Sequence, residues 1–264
     1  MSAFIPLDRL QPVGCRDCRD GQALGMPITM AFQPIVDLRS GSVFGYEALV
    51  RGTGGEGAGQ VLSQVGDDNR YAFDQTCRVT AIELASRLGL EGMLSINFLP
   101  NAVYRPQACI RTTLEAAARM GFPTSKLMFE VSESEQVLDH RHLRNIFDEY
   151  RRRGFTTAID DFGAGHSGLN LLADFQPDIV KLDMALTREI DRDRVRRAIV
   201  TGIARFCEEL GITVIAEGIE TPAECLALQD LGIGLFQGYL FARPGFESLP
   251  PVPAEVWEGV ALRR

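Results

Sequence analysis

The sequence predicts an α/β fold in which eight strands close into a (β/α) barrel behind an antiparallel opening hairpin, and three observations carry that expectation. Short β-branched or aromatic runs alternate with longer segments of helical periodicity from about residue 29 onward. The first two runs are separated only by Leu38-Arg39-Ser40-Gly41-Ser42, too short for a crossover helix, so they should pair antiparallel. The later runs lie far enough apart to hold the helical crossovers that parallel neighbours require. A doubly wound open sheet is the architectural alternative.

Residues 1–28 carry Pro6, Pro12, Gly14, Gly21, Gly25 and Pro27 among alternating charges, which reads as an irregular leader before a domain over 29–264. Strands are expected over 31–37, 43–49, 94–98, 127–131, 156–160, 179–182, 213–216 and 235–241. A helix over 70–88 turns Tyr71, Phe73, Val79, Ile82 and Leu88 inward, and Arg151, Arg152 and Arg153 end another just before Gly154. Residues 184–210 repeat Leu186, Ile190, Val195, Ile199, Ile203, Phe206 and Leu210 at near-helical spacing, and read as one long helix.

A 264-residue chain that is 45% hydrophobic can bury a large core. Its formal net charge of -8 gives no general positive field, so polymeric nucleic acid is not an expected partner. No run reaches the length of a membrane span and the start lacks the pattern of a signal peptide, which makes the expected location cytoplasmic. The cysteines at 15, 18, 77, 109, 207 and 225 lack the spacing of a disulfide scaffold. Only Cys15-Arg-Asp-Cys18 is a recognisable pair, and a lone C-x-x-C in a polar leader reads as an inert tail.

The chemistry gathers at strand ends. Asp160 and Asp161 close the run Thr156-Thr157-Ala158-Ile159. Because successive strand side chains face opposite ways, both can serve one site only where strand gives way to loop. Adjacent carboxylates repel, and a bound cation is the usual reason to keep both ionised. The other predicted strands end in Glu47, Asn97, Glu130, Lys181, Glu217 and Gln237, after apolar positions. In a barrel these C-terminal ends converge on one face. Carboxylates with one amide and no Cys or His favour Mg²⁺ or Mn²⁺, with two ions suggested by the paired aspartates. Paired metals suit phosphodiester hydrolysis.

These residues carry a resemblance. Gly45-Tyr46-Glu47-Ala48-Leu49-Val50-Arg51 is followed in order by Ser95-Ile96-Asn97, Phe129-Glu130-Val131-Ser132-Glu133, Asp160-Asp161-Phe162-Gly163, Val180-Lys181-Leu182-Asp183, Ala216-Glu217-Gly218-Ile219-Glu220 and Phe236-Gln237-Gly238-Tyr239. The chain resembles the bacterial EAL domain family of cyclic di-GMP phosphodiesterases, from about residue 29 to 246. The resemblance implies a modified TIM-type barrel that hydrolyses cyclic di-GMP to linear pGpG. Glu47, Asn97, Glu130 and Asp160 would hold one ion, while Asp160, Asp161 and Glu217 would hold the second. Lys181 would sit by the activated water, and Gln237 would contact a water at the site. Arg51 would touch substrate phosphate, and Gln33, Leu49 and Asp183 would line the substrate pocket. Glu133 and Glu220 would brace the loop 162–169, which in the family links the metal site to a homodimer contact. Two departures stand in that neighbourhood: His166 and Gly168 replace an aromatic or polar residue and a serine, and Ser132 replaces threonine. The rival readings are a catalytically weak cyclic di-GMP receptor or protein-interaction regulator, and a different metal-dependent barrel acting on a phosphorylated metabolite.

Overall fold

The computed structural model describes residues 27–135, 140–165 and 168–260. The leader with Cys15 and Cys18 lies, up to residue 26, outside the described residues, as does His166. Strands β1 (Ile28–Asp37) and β2 (Ser42–Gly52) form the opening hairpin, with Gly41 at φ 66° in its turn. The chain then adds β3 (Met93–Asn97), β4 (Leu127–Ser132), β5 (Thr156–Phe162), β6 (Ile179–Leu182), β7 (Thr213–Ala216) and β8 (Leu235–Gln237). The strands from β2 to β8 are parallel neighbours in sequence order. β1 closes the ring by pairing antiparallel with both β2 and β8. A short β9 (Gly245–Phe246) extends along β1.

The helices α1 (Ala58–Leu62), α2 (Arg70–Arg87), α3 (Pro106–Cys109), α4 (Arg111–Met120), α5 (His140–Arg152), α6 (Gly168–Asp174), α7 (Met184–Thr187), α8 (Arg194–Leu210), α9 (Pro222–Gln229) and α10 (Ala254–Val260) follow the same order. The large apolar core lies where helices cover the sheet, including Phe129, Phe147 and Val200. A second, smaller cluster of Ile35, Met128, Ala158, Ile179, Ile215 and Leu235 fills the lumen, so the barrel is a packed solid rather than a pore. Gly45 marks where β2 meets β3: a Cβ there would collide with the Met93 carbonyl oxygen.

Three expectations change. The helical series 184–210 is two helices, not one. Asp183 caps α7 through the Ala185 N–H, Glu189 takes φ 55°, and Asp193 caps α8 through the Val195 and Arg196 N–H groups. Caps at both starts compete with helix continuation, and apolar periodicity alone does not register them. β8 ends at Gln237 rather than at 241, because Gly238 turns against the backbone of Ile219. The Asp-Asp pair does not end its strand: β5 continues to Phe162 through a register shift against β6 between Ile159 and Phe162.

Burial pushes the Cys207 thiol up to about 11 and the Cys225 thiol up to about 12. At pH 8 the thiolate fraction of Cys207 is then on the order of one in a thousand. In native protein treated with iodoacetamide, peptide mapping should find Cys207 and Cys225 unmodified, and both should react once guanidinium unfolds the chain. Rapid native labelling of either would contradict this packing.

Candidate active site

The site arises from a change of one side-chain repeat along each strand. Met128, Ala158, Ile179, Ile215 and Leu235 face the lumen. Two residues further along their strands stand Glu130, Asp160, Lys181, Glu217 and Gln237. Side chains two apart share a face, so these groups form a polar layer directly above the apolar plug. β1 runs the other way, and its contribution is Gln33, two residues before Ile35 and paired in register with Glu47. Asn97 is likewise in register with Glu130.

Lys181 is the hub of this layer and is fully buried. Its Nζ lies 2.8 Å from Glu217 Oε1, 2.9 Å from Asp160 Oδ1, 3.0 Å from Glu130 Oε2 and 3.5 Å from Glu47 Oε2. Burial works to depress its pKa, but Asp160, Glu130, Glu217 and Glu47 outweigh burial and hold it well above the ordinary lysine value. Glu47 is oriented by two amides: Asn97 Nδ2 donates to Oε1 at 2.8 Å and Gln237 Nε2 donates to Oε2 at 2.7 Å. Gln33 accepts from Gln237 at 3.2 Å and donates to the Ala242 carbonyl at 3.1 Å.

Asp161 joins the layer by a backbone route. Its φ of 55°, in the left-handed region that non-glycine residues rarely occupy, breaks strand alternation within the β5 bulge. Ser132 Oγ donates to its Oδ2 at 2.9 Å. Two triads result, Glu47–Glu130–Asp160 and Asp160–Asp161–Glu217, with ligand oxygens within 4.8 Å of one another and Asp160 in both. Burial pushes Glu130 up to about 8 against the pull of Lys181, with repulsion from Glu47 and Asp160 adding to the rise. Burial and Asp160 raise both Glu217 and Asp161 as well. Glu130 Oε1 and Gln237 Oε1 are buried without a hydrogen-bond donor. Hard oxygen donors, crowded and partly unsatisfied, fit hard divalent cations.

Above this layer lies a cavity of about 580 Å³ lined by Gln33, Leu49, Asp183, Tyr239 and Glu220 among others. The loop after β5 is held from below: Glu133 accepts from the N–H groups of Gly163 at 2.7 Å, Gly165 at 3.4 Å and Gly168 at 2.7 Å. Gly168 is required in this arrangement, since a Cβ would lie 2.7 Å from the Phe162 ring. Glu220 is placed elsewhere than on that loop. Its carboxylate pairs with both guanidinium nitrogens of Arg188 at 2.7 and 2.8 Å. The Arg51 guanidinium donates to the Val50 carbonyl at 2.7 Å and does not line the cavity.

The second loop anchor is a residue sequence reasoning passed over. Buried Glu224 accepts from the N–H groups of Glu189 at 2.9 Å, Glu220 at 3.1 Å and Thr221 at 3.0 Å. Its signal was present in Thr221-Pro-Ala-Glu224, a Thr-x-x-Glu capping box. What no local pattern encodes is the bond to Glu189, which lies 35 residues away.

Fold and site together define a (β/α) barrel with an oxygen-ligand, metal-type centre at its C-terminal mouth. The chain belongs to the EAL domain family, whose model matches residues 23–244. Among solved structures, a standalone EAL protein from Vibrio cholerae O395 in its c-di-GMP-bound form is 56% identical, with a TM-score of 0.86 over 89% of this chain and 99% of that one. Klebsiella pneumoniae BlrP1, in a manganese and cyclic di-GMP complex, is 37% identical, with a TM-score of 0.80 over 88% of this chain and 60% of that one. Among curated relatives, the Escherichia coli K12 blue light- and temperature-regulated antirepressor BluF is 31% identical over 84% of this chain and 55% of its own length. The E. coli K12 probable cyclic di-GMP phosphodiesterase PdeD is 28% identical over 80% of this chain and 40% of its own length. The chain thus spans about half or less of these curated relatives.

The acidic layer sets a pH response. Burial pushes the Glu130 carboxyl up to about 8, above its unfolded value, so the folded state binds the additional proton. The stability this proton contributes is lost as pH rises from roughly 4.5 through 8. In EDTA, Tm should fall by a few degrees between about pH 5.5 and 8.5. Saturating Mn²⁺ should raise Tm more at the upper pH. Differential scanning calorimetry showing the opposite slope in EDTA would contradict the assignment.

Proposed function

We propose that the chain hydrolyses cyclic di-GMP to linear pGpG, with two divalent ions, Mg²⁺ or Mn²⁺, held at the mouth. The observation that carries this reading is Asp160, shared by two carboxylate triads around a buried lysine. Glu47, Asn97, Glu130 and Asp160 would hold one ion, and Asp160, Asp161 and Glu217 the other. Bound there, the ions would neutralise the phosphodiester and lower the pKa of the attacking water.

The chain's own groups have separable roles. Lys181 stays protonated and offers N–H donors at the point where negative charge develops. Gln237 and Asn97 fix the direction of Glu47. Ser132 holds Asp161 in its inward turn, and Glu133 clamps the loop that follows. Leu49, Asp183 and the rim around Glu220 and Arg188 face the cavity in which the dinucleotide would sit. In the hydrolysis, water oxygen bonds to one phosphorus, the bond to its 3′ oxygen breaks, and the released 3′ oxygen takes a proton. The dinucleotide opens with a 5′ phosphate and a 3′ hydroxyl.

The proposal extends to organisation: a leader over 1–28, a domain over 29–264, a cytoplasmic location and a homodimer through α8. No described helix is long and apolar enough to cross a membrane. On α8, Val195 and Ile199 are exposed one turn apart, at 68% and 46%. If this face pairs two copies, specific activity should rise with protein concentration across the dissociation range. Equal activity per site at every concentration, followed by light scattering, would refute the coupling.

Incubating purified protein with cyclic di-GMP and Mg²⁺, then with Ca²⁺, and following the linear product by chromatography is the direct test. Turnover with Mg²⁺ supports hydrolysis, whereas binding without product supports a receptor. Glu47→Ala should cut turnover by at least about 100-fold while the fold is kept, because it removes a ligand rather than packing. Near-normal turnover would sink the assignment of the site.

A further inference from the structure

Behind the barrel wall, on the helix side, Arg78 of α2 is fully buried. Its Nε lies 2.8 Å from Asp74 Oδ2, one terminal nitrogen donates to Asp74 Oδ1 at 3.2 Å, and the other donates to the Tyr150 hydroxyl at 2.6 Å. The guanidinium also lies over three rings, 5.4 Å from Phe98, 5.1 Å from Phe129 and 5.7 Å from Tyr150. Asp74 Oδ1 further accepts the Leu99 N–H at 3.0 Å.

A buried ion pair is a weak source of stability, since well-packed apolar replacements are often as good. The placement of this one suggests another use. Phe98 immediately follows Asn97, and Phe129 immediately precedes Glu130. Alternation sends each phenylalanine outward and each polar neighbour into the lumen. The Phe98 N–H donates to the Glu130 carbonyl at 3.0 Å, joining the two positions directly. Fixing the two rings and the Leu99 N–H therefore fixes the wall from which two site groups project.

We propose that the Asp74–Arg78–Tyr150 group is a positioning device that, from outside the barrel, sets the direction in which Asn97 and Glu130 enter the site. This rests on the reading that these groups bind divalent ions. Arg78 and Tyr150 do not line the cavity, Asp74 borders it, and the group acts on Asn97 and Glu130 through the two aromatic side chains and the Leu99 amide.

The test is Mn²⁺ binding to substrate-free protein by isothermal titration calorimetry, alongside Tm. Arg78→Lys keeps the charge but loses the planar fork, and should weaken Mn²⁺ binding by roughly 10-fold or more. Tyr150→Phe keeps the ring and removes one hydroxyl, and should weaken it by about 3-fold, which serves if Arg78→Lys fails to fold. Val200→Ala, in the α8 core packed near β7, is the structural control: it should lower Tm but leave Mn²⁺ affinity within about 2-fold. Wild-type Mn²⁺ affinity in both variants, or an equal loss in Val200→Ala, overturns the inference while leaving the metal reading intact. A wild-type protein that binds no Mn²⁺ overturns both.

Discussion

The rest of the site depends on one ammonium group in a place where water is excluded. Moving an isolated ion of this size out of water costs on the order of 20 kcal/mol in the idealised limit, so Lys181 is tolerable only among its carboxylates. With Glu47, Glu130, Asp160 and Glu217 around it and Asp161 beside them, five carboxylates face one ammonium, a formal balance of -5 plus 1, or -4, when all are ionised. The lysine fixes the inner oxygens, and burial, with the excess negative charge adding to it, raises Glu130 and Glu217 toward protonation. Divalent cations would relieve both the repulsion and the unsatisfied oxygens, so the geometry fits a holder better than a self-sufficient ion-pair network.

Such a holder requires rigid loops. Two buried carboxylates serve that end in parallel: Glu133 gathers the N–H groups of Gly163, Gly165 and Gly168, and Glu224 gathers those of Glu189, Glu220 and Thr221. A carboxylate that accepts several backbone N–H bonds is held strongly and holds the backbone in return. Glu217 opens one of these loops and Asp161 lies one residue before the end of β5, where the other begins, so the clamps bear on the spacing across the second triad. Ser132, in place of threonine, keeps the hydroxyl that reaches Asp161, and Gly168, in place of serine, admits the Phe162 ring. At these two described positions the residues present are thereby compatible with the clamped arrangement.

Most of the mouth and the alternation of strands and helices were legible in the amino-acid sequence, whereas closure into a barrel rather than an open doubly wound sheet came with β1 pairing to both β2 and β8. Period-two alternation and apolar runs that end in a polar residue specify which face each side chain takes, and this is local information. It located Glu47, Asn97, Glu130, Asp160, Lys181, Glu217 and Gln237 on one face. Only the tertiary structure decided how residues distant in sequence complete one another. It turned Asp161 inward through a bulge rather than at a strand end, broke the 184–210 series at Glu189 and Asp193, gave Glu220 to Arg188, and made Glu224 the second clamp. It also set Asp74 and Arg78 behind Asn97 and Glu130. The reason is physical: periodicity fixes the direction of a side chain, whereas the partner of a carboxylate depends on which loop closure brings within hydrogen-bond reach, and that is set only when the ring shuts.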